Sequence, residues 1–400
     1  MDEHLIRIVC VLVVAILIAI VARRLHLPYT IGLVIVGAAI AVLKIDFGVN
    51  LTREFIFDVI LPPLLFEAAL TLHWKELRAD LLPVLVLATI GTILAAAVVT
   101  AGMVFLLRWP AEPALLFGVL IAATDPVAVI AMFKDNNVKG RLRLLVESES
   151  LFNDSVAAVL FGAALAWAGL ADGHAPTALD MLTMLRQTVV GGCAIGIFCG
   201  AVAILLAGRV SEHLVEAALT TVTAYGSFLL AEHFHMSGVL ATVMAGLVMG
   251  NLGVLRDSDD SPVSPRGREF VLGFWEFAAF MANSLIFPLI GVRIAQIGFA
   301  LPELGSLAVA IALTLVGRAL TVYPISLLFA RSRWSISAPQ QHVLFWGGLR
   351  GALALALALS LPLELPLRDE ITTMTFAVAA FSIIVQGLTM PILLRRAAKA

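Results

Sequence analysis

Six residues that carry formal charge sit deep inside long apolar runs: Glu67, Asp125, Glu149, Asp154, Arg318 and Arg350. At a bilayer centre each would cost about 2.5–3.5 kcal/mol on insertion scales. A fold stable by roughly 5–15 kcal/mol in total cannot carry all of them unpaired. They must therefore pair with one another, face water or bind ions. Four carboxylates against two guanidinium groups leave two negative charges in excess. A buried surplus of negative charge attracts a cation or holds protons.

The spacing of these residues narrows the chemistry. Asp125 stands in Ala123-Thr124-Asp125-Pro126. Proline removes a backbone donor and frees a carbonyl upstream, so Thr124, Asp125 and that carbonyl offer hard oxygens suited to alkali cations. The same pair also suits an N-cap for the half-helix after Pro126. Further on, Glu147-Ser148-Glu149-Ser150-Leu151-Phe152-Asn153-Asp154-Ser155 places Ser150 and Asp154 on one helical stripe, and Glu149 with Phe152 and Asn153 on another. Asp154 lies deepest, because apolar sequence continues to Trp167, whereas Glu147 reads as an interfacial residue near Arg143. Arg318 is always charged, so it needs a buried partner, for which Glu149 is the candidate. Arg350, in Gly347-Gly348-Leu349-Arg350-Gly351, is placed to stabilise the ends of interrupted helices.

The elements that hold these residues are membrane helices. The 400 residues are 61% hydrophobic and 14% charged, with mean hydropathy +1.02. A soluble domain carries about 25% charged residues, so a soluble globule is excluded. With about 20 apolar residues per span, the sequence predicts about thirteen segments: 5–22, 27–43, 52–71, 81–107, 113–133, 142–169, 179–207, 212–234, 236–252, 269–295, 303–330, 340–361 and 370–394. The first lacks a basic leader and a small-residue cleavage site, so it reads as a retained helix. Alternate loops divide the Lys and Arg residues 17 to 6, with three inside segments. The 17-residue side is expected in the cytoplasm, with the N-terminus outside and the C-terminus inside. Cys10, Cys193 and Cys199 show neither metal spacing nor a disulfide framework, and the eight histidines show no metal spacing. A net charge of −2 favours no nucleic-acid partner.

Helix breakers punctuate this pattern. Pro62 and Pro63 interrupt the third segment, Pro126 the fifth, and the Gly347–Gly351 run the twelfth. Two interrupted helices seven segments apart point to inverted repeats, since an odd offset reverses direction. That layout suits a secondary transporter whose site lies where broken helices cross.

Together, Leu61-Pro62-Pro63-Leu64-Leu65-Phe66-Glu67, Ala123-Thr124-Asp125-Pro126-Val127-Ala128-Val129, Glu149-Ser150-Leu151-Phe152-Asn153-Asp154 and Gly347-Gly348-Leu349-Arg350-Gly351 resemble the NhaP/NHE-type sodium–proton antiporters over nearly the whole chain. The resemblance implies an all-α integral membrane fold of about 13 transmembrane helices, with inverted repeats and two unwound crossing helices, as one transporter unit over 1–400. It implies a core, ion-binding domain at about 81–170 and 303–394. The dimerisation scaffold would occupy about 1–71 and 179–295, within a homodimer in the plasma (inner) membrane.

By the same resemblance, Asp154 carries cation or proton, and Na+ is ligated by Asp154, Asp125, Thr124 and Ser150, with Glu67 and Asn153 as further site residues. Glu149 and Arg318 form a structural ion pair, and Arg350 stabilises the crossover. The implied activity is antiport of Na+, or of Li+ or K+, against H+ by alternating access. Asn153 beside Asp154, rather than a second aspartate, implies electroneutral exchange. The protein would be no enzyme and would hold no cofactor. Without a long regulatory tail it implies no regulatory partner. A gated cation channel would need repeated filter sites along a pore, and the sequence offers one cluster. A proton-coupled symporter for an organic solute would need a larger aromatic pocket, and only three tyrosines occur.

Overall fold

The computed structural model describes residues 13, 16–18, 20–21, 29–43, 52–135, 138–169, 177–210, 212–256, 261–296 and 301–397. Among these the secondary structure is helical throughout, without strands. The helices are α1 (Tyr29–Val42), α2 (Leu61–Thr71), α3 (Trp74–Val86), α4 (Thr92–Leu107), α5 (Ala111–Ala122), α6 (Val127–Asp135), α7 (Arg141–Trp167) and α8 (Ala178–Ala207). They continue with α9 (His213–His233), α10 (Gly238–Met249), α11 (Pro265–Gln296), α12 (Leu301–Leu328), α13 (Ala338–Trp346), α14 (Ala352–Leu359), α15 (Arg368–Phe381) and α16 (Gly387–Ala397). Eight helical stretches of the described residues are long and apolar enough to cross a membrane. Most of the expected first segment, 5–22, lies outside the described residues.

Helix ends follow local chemistry. Thr177 and Asp180 form a reciprocal capping box that starts α8, and Ser337 with Gln340 does the same for α13. Ser237 Oγ accepts from the Leu240 amide at 3.2 Å to cap α10. The two expected breaks at Pro126 and at the glycine run are present: residues 123–126 separate α5 from α6, and 347–351 separate α13 from α14. The third expected break is different. Pro62 and Pro63 occupy the first turn of α2, which follows directly on a π-helical turn at Phe55–Ile60. The helix runs on unbroken, with Ile60 and Leu61 both in helical geometry, so the π turn carries the chain into the two prolines without unwinding.

Such π turns are rare, yet they recur at Leu87–Gly91, Gly250–Val254 and Ser382–Gln386. The first of these joins α3 to α4, and the last joins α15 to α16.

The chain divides into two compact units, with boundaries after Arg53 and inside α3, α7 and α11. One comprises Met1–Arg53, Leu82–Ala157 and Asn283–Ala400. Within it α4 packs on α5 and α12, α14 on α5 and α15, and α16 on α13 and α6. The other comprises Glu54–Leu81 and Ala158–Ala282. Here α10 is central, against α8, α9 and α2. Gly192, Gly196 and Gly200 on α8 face α10 so closely that a Cβ at Gly196 would overlap the Ala241 carbonyl, the small-residue packing expected of membrane helices. Phe66 and Trp275 anchor this unit's core with ring centroids 4.6 Å apart, and the Trp275 indole donates to Thr220 Oγ1 at 2.8 Å.

Candidate functional site: a crossing of two interrupted helices

The two breaks meet inside the first unit. The Asp125 amide donates to the Leu349 carbonyl at 2.8 Å, joining one unwound strand to the other. Each break exposes orphan helix ends: free carbonyls at the ends of α5 and α13, and free amides at the starts of α6 and α14. Particular side chains take up many of these groups.

Two arginines serve the carbonyl ends. Arg350 Nη1 donates to the Ala122 and Ala123 carbonyls at 2.9 and 2.8 Å, at the C-terminus of α5. Arg318 donates to the Leu344 carbonyl from Nη2 at 3.0 Å, near the C-terminus of α13. A cation at a helix C-terminus also offsets the negative end of the helix dipole. Arg318 further makes a two-pronged bond to Glu149, each nitrogen–oxygen distance being 2.8 Å, with Glu149 only 1% exposed and Arg318 5%. Glu149 thus lies against Arg318, the partner its burial demanded. Arg350 is likewise sealed.

One aspartate serves the amide ends. Asp125 Oδ1 accepts from the Val127 amide at 2.9 Å, at the start of α6. The Ala352 amide, the first of α14, also donates to this carboxylate. Glycine makes that approach possible: a Cβ at Gly351 would overlap the Asp125 carboxylate, and one at Gly348 would overlap the Arg318 guanidinium.

Helix α7 faces the first break. Ser150 Oγ lies 3.2 Å from Thr124 Oγ1. Asn153 Oδ1 accepts from the Thr124 amide at 3.1 Å, while its Nδ2 donates to Thr92 Oγ1 at 2.8 Å. Thr124, Ser150 and Asn153 are buried.

Asp154, one turn past Ser150, makes no hydrogen bond or ion pair with the described residues, although it feels the charges of Asp125, Glu149 and Arg350. Asp154 and Asp125 are partly accessible, unlike the sealed Glu149, Arg318 and Arg350. Glu67 stands on α2, in the other unit, and is half-buried. Glu147 is held by Arg143 one turn earlier at 3.4 Å.

The sequence reading missed four hydroxyl and amide side chains. Thr92 orients Asn153, and Thr321 Oγ1 donates to the Gly91 carbonyl at 2.9 Å. Ser382 Oγ accepts from the Arg350 amide at 3.0 Å, and Gln386 Nε2 donates to the Trp346 carbonyl at 3.2 Å. Their only signal in the sequence is an uncharged polar residue within an apolar run, three residues after Thr89 for Thr92 and after Arg318 for Thr321, and doubled at a four-residue spacing in Ser382 and Gln386. Among the described residues no cluster of three or more His, Cys, Asp or Glu has the geometry of a tight metal site. The oxygens gathered at the crossing are hydroxyls, carbonyls and two carboxylates, a set that suits a weakly held alkali cation.

Comparison with known proteins bears on this geometry. A family model described as the transmembrane sodium/hydrogen exchanger matches residues 11–396. The chain is 37% identical to the low-affinity Na+/H+ antiporter NhaS1 of Synechocystis, over 92% of this chain and 69% of that protein. It is 39% identical to the Na+/H+ antiporter ApNhaP of Aphanothece halophytica, over 91% and 68% of the two chains. It is also 33% identical to the antiporter NhaH of Halobacillus aidingensis, over 96% of each. The solved structure of the sodium proton antiporter MjNhaP1 of Methanocaldococcus jannaschii at pH 8 superposes with a TM-score of 0.77 at 20% identity. That match covers 99% of this chain and 98% of the other, a likeness of fold.

Proposed function

The chain belongs to the sodium/hydrogen exchanger family, and from that premise we propose that it exchanges Na+ for protons at the crossing of its two interrupted helices. It is a multi-pass membrane antiporter and not an enzyme. The carrying observation is the state of Asp154. Among the described charges at the crossing, Glu149 is neutralised by Arg318, Arg350 lies on the α5 carbonyls and Asp125 on two helix amides. Asp154 is a partly accessible residue and has no such partner.

On this reading Asp154 holds either Na+ or a proton. Thr124, Ser150 and Asp125 supply further oxygens to the cation, and Li+ or K+ would use the same set. Asn153, with both ends of its amide engaged, holds Thr124 in place. Alternating access carries the loaded and the protonated carrier in opposite directions. A core of about 81–170 and 303–394, which contains the crossing, acts as the moving part, and about 1–71 with 179–295 serves as the dimerisation scaffold of a homodimer. The loop charge asymmetry supports a cytoplasmic C-terminus and an external N-terminus in the inner membrane. No cofactor enters the cycle.

The test is proton flux in proteoliposomes. Adding Na+ to vesicles holding the parental protein should dissipate an imposed pH gradient, and should still do so when membrane potential is clamped. Asp154→Asn keeps the size and removes the charge, so this exchange should vanish while the purified variant elutes as a folded species. Parental exchange by Asp154→Asn would remove Asp154 from the carrier role.

A further inference from the structure

Both unwound strands need backbone partners, and a helix that carries a π turn serves each of them, indirectly at the first break and directly at the second. At the first break, Asn153 holds the Thr124 amide and is itself oriented by Thr92, the residue that follows the π turn Leu87–Gly91. That turn's last carbonyl, Gly91, is in turn engaged by Thr321 of α12. At the second break the π turn Ser382–Gln386 supplies the contacts directly. Ser382 Oγ accepts from the Arg350 amide at 3.0 Å and donates to the Ala379 carbonyl at 2.8 Å, so its one proton is already committed. Gln386 donates to the Trp346 carbonyl at 3.2 Å, at the last residue of α13. Both side chains are buried, at 2% and 3% exposure. π turns within α-helices concentrate at functional sites.

We propose that Ser382 and Gln386 are positioning residues of cation exchange, which fix the 347–351 strand and through it the Arg350 guanidinium. Neither touches the cation. Ser382 sets where the Arg350 backbone lies, and Arg350 Nη1 in turn holds the Ala122 and Ala123 carbonyls that lead into Thr124 and Asp125. Gln386 pins the other end of the same strand. Loss of either contact leaves a buried backbone group unpaired and loosens the strand against which the Asp125 carboxylate rests. Apparent cation affinity, rather than only stability, should respond.

This inference rests on the crossing being the exchange site. Na+-driven proton flux is measured in proteoliposomes for the parental protein, Ser382→Ala, Ser382→Thr, Gln386→Leu and Thr375→Val. Thr375 is a control: it is buried on α15 and its hydroxyl bonds only within its own helix, to the Ile371 carbonyl. Ser382→Ala and Gln386→Leu should each raise the Na+ KM about fivefold or more, the scale of one buried group left unpaired. They should also shift the acid limb of the pH profile. Ser382→Thr, which keeps the hydroxyl, should restore both. Thr375→Val should lower melting temperature with KM unchanged.

An unaltered KM and pH profile in both Ser382→Ala and Gln386→Leu would overturn the proposal, as would failure of both to fold. If only Ser382→Ala fails to fold, Gln386→Leu decides. A parental protein without Na+/H+ exchange would instead overturn the reading of the site itself.

Discussion

Each charged side chain at the crossing meets a different physical demand. Glu149 and Arg318 are almost wholly withdrawn from solvent and bound through two parallel contacts, the geometry in which a guanidinium neutralises a carboxylate best. Removing one member strands the other, at about 3–5 kcal/mol. Glu149→Gln and Arg318→Met should therefore each lower the melting temperature in detergent sharply. The double variant should recover part of that loss, though not all, because Arg318 also holds the Leu344 carbonyl. Strictly additive losses would mean that the two groups are energetically independent. Asp154 is the contrast. Its carboxylate has charged neighbours but no bond to them, so its occupancy can change without dismantling the fold around it.

The interrupted helices act as a pair rather than as two separate kinks. Asp125 bonds the first amides of both downstream half-helices, and this requires the backbone at residue 351 to lie against its carboxylate. The demand on Gly351 is steric, since its φ of −134° is open to any residue. Gly351→Ala should push the carboxylate away and cut exchange by roughly 10- to 100-fold, the scale of an ångström's misplacement in a reacting site. Helix content by circular dichroism should stay parental. Gly226→Ala, where an added Cβ meets nothing within 4 Å, should leave the rate unchanged. A parental rate in Gly351→Ala would show that the carboxylate need not rest on that strand. The π turn at Ser382–Gln386 belongs to the same construction, for it brings two polar side chains to a break, while Thr92, just after the turn Leu87–Gly91, orients the Asn153 that holds the other.

For the whole transporter, the charge inventory bears on stoichiometry. Asn153 does not titrate, Glu149 is bound to Arg318, and Asp125 is engaged by two amides. On the proposed reading Asp154 is the group that exchanges Na+ for a proton, so one Na+ should exchange for one proton. With the potential clamped by potassium and valinomycin, the rate and end-point of Na+-driven proton flux should not depend on the voltage imposed. A steep dependence would mean that a second carboxylate, Asp125 or Glu67, also carries a proton. Competition for one carboxylate also shapes the pH profile. Acid favours the protonated carrier and excludes Na+, while alkali removes the proton to be exchanged. The profile should be bell-shaped, with an acid limb that moves to lower pH as Na+ rises.

The sequence by itself determined the solvent of this protein, its helical class and the location of its charges. Hydropathy is a sum along the chain, and a buried ionised group is so costly that its need for a partner can be read without coordinates. Glu149 and Arg318 were paired on that ground, and the breaks at Pro126 and Gly347–Gly351 were visible because proline and glycine act on the local backbone. The tertiary structure decided what depends on contacts distant in sequence. It kept the chain helical at Pro62 and Pro63 through a preceding π turn, a choice between two hydrogen-bond registers that composition does not encode. It gave Asp125 to two helix starts and Arg350 to the end of α5. It also recruited Thr92, Ser382 and Gln386, whose side chains carry no charge. An uncharged polar residue in a membrane helix can satisfy its own backbone, as Thr375 does. Only the position of a distant unwound strand decides that Ser382 instead faces one.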